Sequence, residues 1–111
     1  MSAPSEEYDT CMELHRSGEI GEAKERLIQL TEQHPEFALA FNALGAILKK
    51  EGQILQAIQY AEKYCELEPN DAFGFTILSS FCIEAGLREN AEDALMKAQD
   101  LRFKEHFADA K

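Results

Sequence analysis

Residues 38–71 read ALAFNALGAILKKEGQILQAIQYAEKYCELEPND, and residues 72–105 read AFGFTILSSFCIEAGLRENAEDALMKAQDLRFKE. Laid one over the other, the two stretches share Phe41 with Phe75, Leu44 with Leu78, Gly52 with Gly86 and Ala57 with Ala91. The preceding residues 4–37 keep the same step through Gly18, Ala23 and Pro35. A fixed period of this length marks a stacked array, because each unit must lay its apolar face on a neighbour to bury it.

Each unit reads as two helices. The expected spans are 5–17, 21–34, 36–51, 54–67, 71–85 and a sixth from about Arg88. Ser5 and Asp71 are placed to cap helix starts. Gly18, Gly52 and Gly86 end the first helix of each pair, where a left-handed residue is needed. Pro35 and Pro69 stop the second helices of the first two pairs. No strand-like alternation occurs.

The apolar stripe repeats as well. Phe41, Leu44, Gly45 and Leu48 become Phe75, Leu78, Ser79 and Cys82 in the third unit and Glu7, Thr10, Cys11 and Leu14 in the first. The small third member lets two backbones approach. The polar first copy suits a terminal unit with one face in water.

Composition bounds the class. The 111 residues have room for one domain, and 45% apolar residues are too many for a disordered chain. The net charge of -10 argues against a nucleic-acid partner, which requires clustered Lys and Arg. No membrane span is expected, and no basic, apolar leader opens the sequence, so a cytoplasmic location is expected. Cys11, Cys65 and Cys82 have no metal-ligand spacing and fall on or near apolar faces, so buried reduced thiols are expected, with neither metal nor cofactor. Cys11 and His15 are one turn apart, but further ligands at metal spacing are missing. With no phosphate loop, nucleophile elbow or zinc-protease motif, no enzymatic activity is expected.

The pattern Phe41…Leu44-Gly45…Leu48…Gly52…Ala57…Pro69 resembles the signature of the tetratricopeptide repeat family, with Phe41 in the place usually held by Trp. The third copy departs at Ser79, where Gly is usual, and at Phe103, where Pro is usual. The middle copy swaps a pair, with Ala61 and Tyr64 standing where an aromatic and then a small residue are usual. The resemblance implies an all-α solenoid of three antiparallel helix pairs, a right-handed superhelix spanning 4–37, 38–71 and 72–105 with a short tail at 106–111. It also implies a concave groove lined by the first helix of each pair, holding a segment of a partner protein.

Carried over residue by residue, that groove consists of Tyr8, Met12, Leu39, Asn42, Ala46, Phe73, Thr76 and Ser80. A basic rim of His15, Arg16, Lys49 and Lys50 lies at the ends of first helices, where the helix dipole also favours cations. The acidic-tail grip of chaperone-binding relatives is not expected. Its positions hold Tyr8, Met12, Ala43, Phe73 and Ile77, which are poor donors to a carboxylate.

Two features stand apart. Phe103 and Phe107, beyond Met96, suggest either an extension that partly shields the sixth helix or a surface for a homodimer, and a self-assembling module is the alternative to a peptide-binding adaptor. Phe107-Ala108-Asp109-Ala110 also echoes Phe37-Ala38-Leu39-Ala40, as a vestige of a fourth unit would. Gly74 interrupts a helix at a cost of about 1 kcal/mol against Ala, which either a close approach of a ligand or neighbour or neutral drift would explain.

Overall fold

The computed structural model describes residues 3–109. They form α1 (Pro4–Arg16), α2 (Ile20–Gln33), α3 (Ala38–Lys50), α4 (Ile54–Leu67), α5 (Ala72–Glu84) and α6 (Arg88–Asp109). Substantial contacts run only between helices adjacent in sequence. The radius of gyration is 15.1 Å, against about 13 Å for a compact domain of this length. The chain is therefore a solenoid of three antiparallel pairs and not a closed bundle.

The glycine register is a backbone requirement. Gly18, Gly52 and Gly86 have φ of 90°, 80° and 78°. At each one the glycine N–H reaches back three residues (Gly52 to the Lys49 carbonyl, 3.1 Å), and the next N–H reaches back five (Gln53 to Leu48, 2.9 Å). This double closure satisfies carbonyls the helix end would leave bare.

The helix starts differ from expectation at two places, α3 opening at Ala38 behind Phe37 rather than at 36, and the start of α1. Ser5 does not cap α1. Pro4 takes the first helical position and Ala3 precedes it without a side-chain cap, because proline's fixed φ suits that position and its missing N–H costs nothing there. Asp71 caps α5 as expected, accepting the Phe73 N–H at 3.0 Å.

The core follows the stack. One cluster holds Cys11, Leu27, Leu30, Ala40, Leu44 and Ile47. A second holds Leu48, Ala57, Ile58, Ala61, Phe81, Cys82 and Ala91. Tyr60 packs against both and stands 6.1 Å from the Phe41 ring, centroid to centroid. Ser79 is buried in the place of Gly45 and donates to the Ala91 carbonyl at 2.8 Å, tying α5 to α6.

Gly74 and the swapped pair explain each other. A Cβ at Gly74 would lie 2.7 Å from Tyr64 Cε1. The neighbour that needs the glycine is thus the Tyr64 ring, inside the fold, and no external ligand is required.

α6 runs through the place where α2 and α4 stop, since Phe103 replaces the proline. The Phe107–Asp109 stretch is helical and does not open a fourth unit; Ala110 lies outside the described residues. The Phe103 and Phe107 rings meet at a tilt of 41°, 4.5 Å apart, but stay exposed, at 62% and 54%. The extension therefore leaves its own rings uncovered.

Candidate groove and the open end of the array

α1 and α3 open onto a shared cleft. Tyr8, Met12 and His15 of α1 meet Asn42, Ala43, Ala46, Ile47 and Lys50 of α3 around a cleft of about 160 Å³. Tyr8 is held edge-on against Phe37, with centroids 5.8 Å apart. Burial, then the nearby Asp9 and Cys11, push its phenol above the ordinary tyrosine value. It therefore keeps its proton at neutral pH and can donate a hydrogen bond.

The repeat register gives Phe73, Thr76 and Ser80 of α5 the helical positions that Leu39, Asn42 and Ala46 hold on α3. Leu39 and Phe73 are exposed at 45% and 62%. Both are apolar side chains left in water on the face opposite the core stripe.

Thr76 is already engaged. Its hydroxyl donates to the Ala72 carbonyl at 3.0 Å and accepts from Arg102 Nη2 at 2.8 Å. Arg102, on α6, thus brings a fixed cation to the end of the groove. Sequence reasoning missed it, because only the crossing of α5 and α6 brings together residues 26 apart.

The four rim cations are not equivalent. His15 and Lys50 line the cleft. Arg16 pairs with Glu13 on its own helix at 2.9 Å, and Lys49 reaches across to Glu84 of α5 at 4.0 Å.

The thiols have little nucleophilic character. Burial first, then nearby acidic groups, drives Cys65 up to about 11. Burial is also the leading cause that raises Cys11 and Cys82. Cys11 faces the core while His15 faces the cleft. Among the described residues no group of three or more His, Cys, Asp or Glu could hold a metal ion. No described helix is long and apolar enough to cross a membrane.

The two ends of the array differ. The N-terminal end is a polar cleft of about 570 Å³ between α1 and α2, rimmed by Glu6, Glu7, Glu22, Glu25 and Arg26. The C-terminal end is a largely apolar pocket of about 400 Å³ between α5 and α6, formed by Ser79, Ile83, Gly86, Ala91 and Leu95 with Arg88 and Glu92 at its edge.

A family model described as the tetratricopeptide repeat matches residues 38–71. Residues 38–71 are a tetratricopeptide repeat, and the units on either side keep its register. Its fold is that of MamA, with a TM-score of 0.85 at 20% identity, covering 94% of this chain and 61% of that one. The Yersinia enterocolitica type III secretion chaperone SycD, in complex with a peptide of the translocator YopD, gives a TM-score of 0.78 at 21% identity over 94% of this chain and 83% of that one. PcrH, in complex with the chaperone binding region of PopB, gives 0.80 at 19% identity over 91% and 83%. This chain spans about three fifths of the MamA structure's length. No curated protein matches the sequence.

Proposed function

We propose that this repeat array is a protein-interaction module that holds a segment of a partner protein along the concave face of α1, α3 and α5. The observation that carries the reading is the cleft where Tyr8 and Met12 meet Asn42 and Ala46, continued by exposed Leu39 and Phe73. Among the described residues Leu39 and Phe73 stay exposed on this face at repeat-equivalent positions. Two structural neighbours, SycD and PcrH, are seen with segments of other proteins bound, which supports the same use of this fold.

The chemistry of the guest follows from the walls. Leu39, Met12 and Phe73 favour an apolar side chain. Ala46 leaves space for it, and Asn42 can bond a backbone amide on both its donor and acceptor sides. His15 and Lys50 at one end and Arg102 at the other favour an acidic flank.

Selection of linear peptides from a displayed random library tests the proposal. The wild-type chain should enrich peptides with an apolar anchor beside acidic residues. The Leu39→Glu/Phe73→Glu variant, with unchanged helix content, should not retain them. Equal retention by that variant would overturn the groove reading.

A further inference from the structure

The pocket at the C-terminal end is the third instance of a joint the fold makes twice within itself. At the first junction Cys11 and Ile47 share one core cluster. At the second, Phe81 of α5 sits on Gly45, with its Cε2 3.5 Å from where a Cβ would stand. One period later the equivalent of Gly45 is Ser79, which bonds to the Ala91 carbonyl within its own hairpin, and among the described residues no further helix packs beside it as α5 packs beside Gly45. The pocket bounded by Ser79, Ile83, Ala91 and Leu95 is therefore a socket shaped for a bulky apolar side chain from a helix antiparallel to α6. The chain does not turn back to supply that helix at the repeat's register, because α6 continues straight to Asp109.

The same helix carries knobs without sockets. Ala91, Ala94, Ala98 and Leu101 face the core. At about 100° per residue, Met96, Phe103 and Phe107 come out on the far side. Sequence reasoning grouped these three with the uncovered end of the stack. The structure sets them around the helix from the open socket, and they cannot fold back into it within one rigid helix.

We infer that the occupant is a second copy of this chain, with the two α6 helices packed antiparallel so that the Phe103–Phe107 pair of each copy fills the other's Ser79–Leu95 socket. At full overlap of the 22-residue helices, position 103 comes level along the axis with 94 and position 107 with 90, the stretch of α6 that carries Ala91 and Leu95 of the socket. Charge favours this direction. Arg88–Leu95 carries Glu89, Glu92 and Asp93 against Arg88, while Arg102–Phe107 carries Arg102 and Lys104 against Glu105. Antiparallel pairing sets the acidic half of each helix against the basic half of the other. Head-to-tail stacking is disfavoured, because the N-terminal end would offer Glu6, Glu7, Glu22 and Glu25 to an apolar socket. The two-fold arrangement closes on itself, so it yields a dimer and no fibre. It takes up Ser79 and Ile83 at the outer side of α5 but leaves the cleft between α1 and α3 open, so it stands independently of that cleft.

Sedimentation equilibrium at tens of micromolar tests this with two variants, Phe103→Glu/Phe107→Glu, which removes the knobs, and Leu95→Arg, which blocks the socket. The wild-type chain should sediment at twice 12.5 kDa. Each variant alone should sediment as a monomer with unchanged helix content. Mixed in equal amounts, the two should recover dimer, because the blocked copy still offers its knobs to the other's open socket. A monomeric wild type, a dimeric knobless variant, or a mixture that stays monomeric would overturn the inference.

Discussion

The ring of Tyr64 fills the space a side chain at position 74 would need: a Cβ on Gly74 would stand 2.7 Å from Cε1 and 2.9 Å from Cδ1. The ring cannot swing away freely, because its hydroxyl donates to Asp71 Oδ2 at 2.5 Å while Asp71 also caps α5. One tyrosine, one aspartate and one glycine thus set how α4 meets α5.

Gly74→Ala should therefore destabilise the fold by about 1–3 kcal/mol through overpacking, although alanine is the better helix former by about 1 kcal/mol. In a Tyr64→Ala background the same change should become neutral or stabilising. Urea unfolding of the four members of this cycle measures the coupling. A Gly74→Ala chain more stable than wild type would contradict the packing described.

The Tyr64–Asp71 contact also sets a pH dependence. The hydrogen bond to Asp71, then burial, raises the Tyr64 phenol from 10.0 to about 12. A raised folded-state value means that the neutral form is stabilised by folding. Its contribution is whole below pH 10 and is lost as pH climbs from 10 towards about 12. The urea midpoint of the wild type should fall more steeply as pH rises from 10 towards about 12 than that of Tyr64→Phe. Parallel slopes would count against the contact.

Gly52 is required by its φ of 80° alone, since nothing lies within 4 Å of a Cβ built there. Gly52→Ala should cost about 1–2 kcal/mol, the penalty for an L-residue in the left-handed region. Gly52→Asn should cost less, because asparagine tolerates that region. Equal thermal midpoints for Ala, Asn and Gly would show that the turn relaxes.

The helices and their order were legible because burial in a stack imposes one register three times. Gly18, Gly52 and Gly86 mark helix ends wherever they recur, and Ala23, Ala57 and Ala91 mark the close crossings. The register fails where a contact crosses it. Gly74 was legible as an oddity but not as Tyr64's partner, since the two lie on different helices. Arg102 was invisible as a groove residue until α6 crossed α5 at Thr76. Phe103 and Phe107 were legible as a partial shield for the sixth helix or a dimer surface, but their side of α6 depends on the helix running on through the missing proline.

The rim cations should separate in binding kinetics. Lys50 lines the α1–α3 cleft, whereas Lys49 spends its charge near Glu84. For an acidic-flanked peptide selected on the wild-type chain, Lys50→Glu should slow association several-fold at low salt and flatten its salt dependence, as loss of steering does. Lys49→Glu should do markedly less. Equal effects by stopped-flow would place the steering field elsewhere.

The central claim is that three hairpins in series leave a trough open for a guest. Amide and methyl chemical-shift mapping with such a peptide tests it most directly. The account predicts perturbations tracking α1, α3 and α5 through Tyr8, Met12, Leu39, Asn42, Ala46 and Phe73, with α2 and the outer face of α4 unmoved. Shifts confined to the polar N-terminal cleft of Glu6, Glu22 and Glu25, or to the backs of α2 and α4, would contradict it.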